Sequence, residues 1–402
     1  MSRVCMLAHS YFPHNSRTRV QALALAEAGH DVEVICPRGP GEPQSEEYSG
    51  VRISRLRVSR DRSRGKLAYL AEYATFFALA SRALSKRERA EHFDLIVVHN
   101  IPEELVFATW PSKRRGASVM LDVHDPLPEL FADKYGLRDG SRVKRLLERL
   151  ELASCRYADH VLVANGPMEP RLISMGYPAE RITQILNCPL SGGREEGETE
   201  PFVVVYHGSL FERYGMETVL RGFARAAEEV PSVELHLYGS DVDGRYVEHL
   251  KGIAQQLGIE KRVAFNGFAA PIALRRILAH ADLGVSPMRR SCHIDLVYPT
   301  KLLEYLAHGV PVLSVRTPAL EALFSNGEVY FYDNEDAEDF ADALVRIVRA
   351  TPERRGAPAR ENNLPSELSW SEMWPRYSSL VDSLSAVRSP AAGKVALDSE
   401  EQ

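Results

Sequence analysis

The stretch DLVYPTKLLEYLAHGVPVLS, Asp295 to Ser314, passes from a loop through a short helix into a strand. Pro299 suits the first helical position, where a missing N–H leaves nothing unpaired. Gly309 and Pro311 end the helix, and VPVLSV reads as the next strand. That strand is apolar on both faces, as a parallel strand covered by helices must be. The helix start presents free backbone N–H groups and the positive end of a dipole, a natural seat for phosphate. Lys301 and Glu304 stand one turn apart just inside it. They read in two ways. One is a surface i,i+3 ion pair contributing roughly a few tenths of a kcal/mol. The other is a site, with the lysine on a phosphate and the glutamate on two neighbouring hydroxyls such as those of a ribose.

The same alternation runs outward along the chain. RVCMLAH, DVEVICP, DLIVVHN, SVMLDVHD and HVLVANG in the first half are short apolar runs separated by helical patterns. FVVVYHGS, VELHLYGS, VAFNGF, LGVSPM and VPVLSV repeat the style in the second. Each half predicts a doubly wound α/β domain with a parallel sheet. A chain of 402 residues exceeds one ordinary core, which points the same way. The expected boundaries are a first domain over residues 1–187, a linker over 188–200, a second domain over 201–368, a helix over 369–387 and a tail over 388–402. The linker reading rests on CPLSGGREEGETEP, polar and rich in Gly, Glu and Pro. LSWSEMWPRYSSLVDSL has apolar residues at helical spacing, which a helix docking back on the first domain would bury. RSPAAGKVALDSEEQ has too little to bury, so a disordered tail is expected.

Composition narrows the functional classes. The chain is 45% hydrophobic and 26% charged, with net charge −6, which argues against nucleic acid as partner, since phosphate-backbone binding needs a broad basic face. Five scattered cysteines without a CxxC pair fit a reducing compartment better than disulfides or zinc. MSRVCMLAHSYFP opens directly into an apolar strand without signal-peptide organisation, and no uncharged apolar run approaches a membrane span. A cytoplasmic protein is expected. VRISRLRVSRDRSRGK is locally very basic and LAYLAEYATFFALASRAL follows it. Residues 52–90 therefore read either as peripheral contact with an anionic membrane or as a core helix beside a solvated basic face.

Several motifs carry candidate chemistry. In VVVYHGSLFERYG, Val203 to Gly215, Gly208 and Ser209 would let backbone approach a ligand at the carboxyl end of a strand. Arg213 could clamp a diphosphate from the same loop; the plain alternative is a βα loop with a solvated arginine. Gly267 and Phe268, after VAFN, could offer backbone and ring to a nucleobase. In VMLDVHDPLPEL, His124 closes a buried strand between Asp122 and Asp125, placed to donate to a ligand oxygen with a carboxylate fixing its tautomer, or to be a satisfied structural histidine. HSYFPHNSRTRV brings His14, Asn15, Arg17 and Arg19 to the mouth of the first domain. Asp241-Val242-Asp243 matches a D-x-D pattern for metal and diphosphate, but its Gly- and Ser-rich flanks favour a turn. G-x-G-x-x-G after the first strand, Walker A, H-E-x-x-H and G-x-S-x-G are all absent.

Taken in order, FPHNSRTRVQALALAEAGHDVEVI, DVHDPLPEL, YADHVLVANG, ERITQILNCP, YHGSLFERYGMETVL, VAFNGF and YPTKLLEYLAHGVPVLS resemble the family 4 retaining glycosyltransferases (group 1) of GT-B architecture. The resemblance covers nearly all of residues 3 to 385. It implies two Rossmann-like domains facing a cleft, with a nucleoside-diphosphate sugar, UDP- or GDP-linked, on the second domain and a hydroxyl acceptor mainly on the first. Glu304 would then hold the ribose, while Arg213 and Lys301 neutralise the diphosphate beside the Val297–Thr300 turn. Gly267 and Phe268 would border the base, His124 would approach the transferred sugar, and His14, Asn15 and Arg17 would lie near the acceptor. Neither metal nor other cofactor is implied, since cations and a helix end stabilise the leaving diphosphate. Three departures stand out. The earlier glutamate of the family's E-x7-E pattern falls at Leu296, with Asp295 beside it as a replacement for contacts to sugar hydroxyls. Tyr214-Gly215 stands where Lys-Gly is common, and the first loop lacks a Gly-Gly turn. A nucleotide-sugar epimerase of the same fold and a non-catalytic sugar-nucleotide module are the alternatives.

Overall fold

The computed structural model describes residues 1–58, 66–188, 201–241, 244–269, 271–324, 329–350 and 364–386. Of the expected linker only Cys188 lies among them; residues 189–200 and the tail from 388 lie outside. The chain divides into two compact units, one of Met1–Asn187 with the C-terminal segment from Ser371, the other of Cys188–Trp370.

The first unit contains β1 (Arg3–Ala8), α1 (Ser16–Glu27), β2 (Asp31–Pro37), β3 (Ser45–Tyr48), β4 (Val51–Leu56), α2 (Lys66–Ala90) and β5 (Leu95–His99). It continues through α3 (Trp110–Lys113), β6 (Ser118–Val123), α4 (Leu127–Tyr135), α5 (Arg142–Tyr157), β7 (His160–Val163), α6 (Met168–Ser174) and β8 (Ile182–Gln184). The sheet order is β3-β4-β2-β1-β5-β6-β7-β8, parallel apart from the β3–β4 edge pair. β5 and β6 are buried at every residue, which is why their sequences show no alternation.

The second unit runs β9 (Phe202–His207), α7 (Met216–Glu229), β10 (Val233–Tyr238), α8 (Arg245–Gln256), β11 (Val263–Phe265), α9 (Pro271–Ala279) and β12 (Leu283–Ser286). Then follow α10 (Thr300–Ala307), β13 (Val312–Val315), α11 (Pro318–Leu323), β14 (Val329–Tyr332) and α12 (Ala337–Ala350). Its sheet order is β11-β10-β9-β12-β13-β14, all parallel. Counted within the unit this is 3-2-1-4-5-6, the Rossmann order, and the strand order reverses between β9 and β12. A ligand site belongs outside the carboxyl ends of those two strands. Both units are Rossmann-like.

The last helix, α13 (Trp370–Ala386), packs on the first unit. Met373, Tyr377 and Val381 are buried, and Ser118 Oγ at the start of β6 donates to Leu384 O at 2.7 Å. Residues 59–65 of the basic segment lie outside the described residues, and the described part is only partly a solvated face. Arg52 pairs with Asp31, Arg55 is buried between Glu42 and Glu46, and Arg87 pairs with Glu33. α2 sends Phe76, Ala80 and Leu84 into the core. No helix among the described residues is long and apolar enough to cross a membrane.

Candidate active site

In the second unit the chain turns sharply after β9. Gly208 has φ +125°, and a Cβ there would stand 3.3 Å from Lys301 Cε, so the bare backbone is what admits the lysine. Lys301, in the first turn of α10, is 9% exposed. Its ammonium lies over the rings of Tyr206 at 5.2 Å and Tyr214 at 4.8 Å. Tyr206 Oη is held by donating to Ser209 O at 2.6 Å. The Arg213 guanidinium reaches the same Tyr214 ring at 5.0 Å, with Nη2 donating to its Oη at 3.1 Å. Two cations thus share one phenol, and neither enters an ion pair among the described residues. Burial pushes the Lys301 ammonium down to about 8, opposed by Glu304 and reinforced by Arg213.

Pro299 occupies the N-cap with ψ 120°, one position earlier than expected from the sequence, and its carbonyl accepts from Leu302 and Leu303 N–H at 3.0 and 3.4 Å. No side chain caps α10, so the N–H groups of Thr300 and Lys301 point out of the helix end without a cap. Val297 is buried ahead of them. Glu304 is one turn on, its Oε2 3.4 Å from His207 Nε2. Burial, then Lys301 and His308, push His207 down to about 3, so it is neutral. Tyr305 joins helix to strand: its Oη donates to Val205 O and accepts from His207 N–H, both at 3.1 Å.

Other expected residues have local duties. Asp295 is held bidentately by Arg290, at 3.1 Å to Nε and 2.9 Å to Nη2. Asp241 accepts from Gly244 and Tyr246 N–H at 2.8 and 2.6 Å, the capping behaviour of a turn aspartate; Val242 and Asp243 lie outside the described residues. Gly267 has φ +70° and borders a hollow of about 680 Å³ beside Gly239, Phe265 and Lys251, next to Phe268, which is 77% exposed.

The first unit holds a second cluster. Asp122, on β6, is fully buried, and Arg17 donates to it from Nε at 2.9 and 3.1 Å and from Nη2 at 2.6 Å. Gln21 Nε2 adds a bond at 2.9 Å, and His99 Nδ1 and His124 Nε2 stand 3.2 and 3.3 Å from Oδ2. Burial would push the Asp122 carboxyl up, but Arg17 and the imidazoles hold it well below the usual carboxylate range. Arg17 is therefore turned into the interior, contrary to its expected place at the mouth. Asn15 caps α1, its Oδ1 accepting from Thr18 N–H at 3.0 Å, and His14 is exposed beside Glu42. The ligand atoms of His99, Asp122 and His124 lie within 4.8 Å of one another, a spacing that could hold a metal, but Asp122 is already engaged by a guanidinium that repels a cation. Sequence reasoning missed His99, Gln21, Tyr206, His207 and Tyr305. His99 had a signal, since it ends β5 as His124 follows β6; the others look like ordinary core positions.

Comparison with known families identifies the family. Residues 14–188 match the family described as "Glycosyl transferase 4-like domain", and residues 201–350 match "Glycosyl transferases group 1". The chain belongs to the group 1 glycosyltransferases of family 4, with the GT-B fold. Mannosylfructose-phosphate synthase of Agrobacterium fabrum is 27% identical over 44% of this chain and 39% of its own length, so the match spans well under half of that relative. Among solved structures, sucrose-phosphate synthase from Thermosynechococcus elongatus superposes with TM-score 0.75 at 19% identity, covering 96% of this chain and 99% of that one. Anabaena HepE in complex with UDP-glucose gives TM-score 0.68 at 17% identity, covering 95% and 100%.

Proposed function

We propose that the protein transfers a hexose-type sugar from a nucleoside-diphosphate sugar to a hydroxyl acceptor, with retention and without a metal. The observation that carries this reading is the convergence of Lys301 and Arg213, unpaired, on the open end of α10 beside Gly208. A buried lysine and a neighbouring arginine at a helix N-terminus are arranged for a diphosphate, whose charge grows as it leaves. Glu304 would take the ribose hydroxyls, and the hollow at Gly267 would take the base. The UDP-glucose held by Anabaena HepE supports a UDP-sugar as donor. Retention follows from the family resemblance and would proceed by front-face departure and attack, the donor's phosphate oxygen accepting the acceptor's proton. His124 would meet the transferred sugar.

A thermal-shift screen of UDP-, GDP- and ADP-sugars tests this. The cognate donor should stabilise by about 2.7 kcal/mol at a hundred times its Kd, and Arg213→Ala or Lys301→Ala should remove most of that shift. Failure of every nucleotide diphosphate to move the melting temperature would sink the reading. Conversion of a nucleotide sugar without acceptor would favour the epimerase instead.

Peripheral contact with an anionic membrane is favoured by α5 rather than by residues 52–90. Arg142, Arg145, Arg149 and Arg156 are exposed on one face of α5 without ion pairs among the described residues. Val143 and Leu146, 52% and 56% exposed, stand among them. Arginines supply attraction to anionic headgroups, and the apolar side chains supply the area that lipid buries.

A further inference from the structure

We propose that Arg289 and Arg290 are positioning residues for the two cations of the candidate site, and that Asp295 serves as the partner of Arg290 rather than as a contact to the donor sugar. The family resemblance points Asp295 at sugar hydroxyls instead. That the positioned site takes a diphosphate rests on the proposed transfer reaction; the locking of its two loops does not.

The basic side chains around the site are of two kinds. Arg213 and Lys301 enter no ion pair among the described residues. Arg289 and Arg290, which follow β12, are paired with carboxylates. Arg289 Nη1 donates to Glu212 Oε1 at 3.0 Å, and its Nε stands 3.0 Å from Glu335 Oε1. Arg290 holds Asp295 from Nε at 3.1 Å and from Nη2 at 2.9 Å. A guanidinium already committed to a carboxylate is a poor seat for a phosphate, but its fork fixes the direction of the carboxylate it grips. The paired arginines are fitted to hold loops, and the other two cations to hold a ligand.

Each arginine holds the loop of one of those cations. Arg289 N–H donates to Arg213 O at 3.0 Å, so backbone and side chain together grip residues 212 and 213. Gly215, with φ +63°, closes that loop against the same segment, where a Cβ would stand 3.7 Å from Arg289 N and Met288 C. Arg290 acts on the other loop. Asp295 lies in a turn that bonds back on itself, Asp295 N–H donating to Ser291 O at 3.1 Å and Leu296 N–H to His293 O at 3.0 Å. Ile294 and Val297 are buried, and the turn leads to Pro299 and the first turn of α10, where Lys301 stands. The loop after β14 steadies both arginines: Asn334 Oδ1 accepts from Arg290 N–H at 2.9 Å, and Glu335 faces Arg289. Glu335 keeps φ +56°, which a glycine reaches without strain, so its carboxylate stands there at a conformational cost. The Arg289 and Arg290 side chains are 35% and 40% exposed, so their pairs add little to global stability. What they fix is the spacing of two loops, on which a site built from both depends.

The test uses the full-length protein. In hydrogen–deuterium exchange, Arg290→Met should speed exchange across residues 291–300 and Arg289→Met across 211–216, each with a melting temperature near that of the wild type. In calorimetry with UDP and with UDP-glucose, Arg289→Met, Arg290→Met and Asp295→Asn should each weaken both ligands alike, about three- to tenfold. Arg290→Met and Asp295→Asn combined should lose no more than either alone. The exchanged pair, Arg290→Asp with Asp295→Arg, should recover part of the loss. Weakening of UDP-glucose alone in Asp295→Asn, with Arg290→Met unaffected, would make Asp295 a sugar contact and overturn the proposal. Unchanged exchange in both arginine variants would overturn it as well. The expected exchange, with neither nucleotide bound by the wild type, would uphold the lock and count against the UDP-sugar reading instead.

Discussion

Lys301 gathers the chemistry of the proposed donor site into one titration. Its ammonium is pushed down to about 8 because burial between Tyr206 and Tyr214 strips it of water. A diphosphate bound beside it would raise that value again, since an anion favours the charged form. Near pH 8, UDP binding should therefore take up about half a proton per site, fading as the pH falls towards 6.5. Calorimetry in buffers of different ionisation enthalpy reads this directly; heats independent of buffer would refute the assignment of Lys301 to the diphosphate. Affinity should also weaken as pH rises above 8. The stability effect has the opposite slope. The unfolded chain holds this proton up to about 10.4 while the folded one releases it near 8, so this group's contribution to stability rises with pH across that window. At this scale the sequence named Lys301, Glu304 and Arg213 because helix-start spacing and loop glycines are local signals. It missed Tyr206, and it named Tyr214 only as standing where a lysine is common, whereas the fold sets both rings against the cations.

At the scale of elements, the site depends on how closely α10 lies against β9 and β12. A Cβ on Gly284 in β12 would come within 2.4 Å of the Tyr305 ring, and Tyr305 is the residue that ties the end of β9 to the helix. Gly284→Ala should cost about 1–3 kcal/mol by overpacking. It should also weaken the thermal shift given by the cognate nucleotide, because His207 and Glu304 move with Tyr305. Urea unfolding and the nucleotide screen measure the two effects; a variant as stable and as responsive as the wild type would show that the contact is slack. The strands were legible as continuous apolar runs and the helices as amphipathic ones. What the sequence placed wrongly was Pro299, since its fixed φ suits the N-cap as well as the first turn and only ψ separates them.

At the scale of the molecule, surface charge is decided by which basic side chains find acidic partners. The basic run read either as a face for an anionic surface or as a solvated face; of it, Arg52 meets Asp31 and Arg55 meets Glu42 and Glu46. Arg142, Arg145, Arg149 and Arg156 on α5 have no ion pair among the described residues. The protein should co-sediment with phosphatidylglycerol-containing vesicles, bind far less to pure phosphatidylcholine, and come off as salt rises. Changing Arg145 and Arg149 to Glu together with Leu146→Ala should abolish most of the binding. Equal binding to both vesicle types, or no loss in that triple variant, would dismiss α5 as a membrane face. α13 is another matter of the whole molecule: Tyr377 from the far end of the chain is fully buried in the first unit.

The sequence by itself determined the architecture and pointed to the two cations of the candidate site, because both rest on short-range pattern: apolar runs of strand length, helix starts, and glycines where backbone must come close. Only the tertiary structure decided what the histidines, carboxylates and arginines of the first unit do. Arg17, His99 and Asp122 are separated by up to 105 residues in the chain, and their roles follow from burial around one carboxylate. A buried charge takes its meaning from its partners, and no local pattern records which partners a parallel sheet will bring to the ends of its strands.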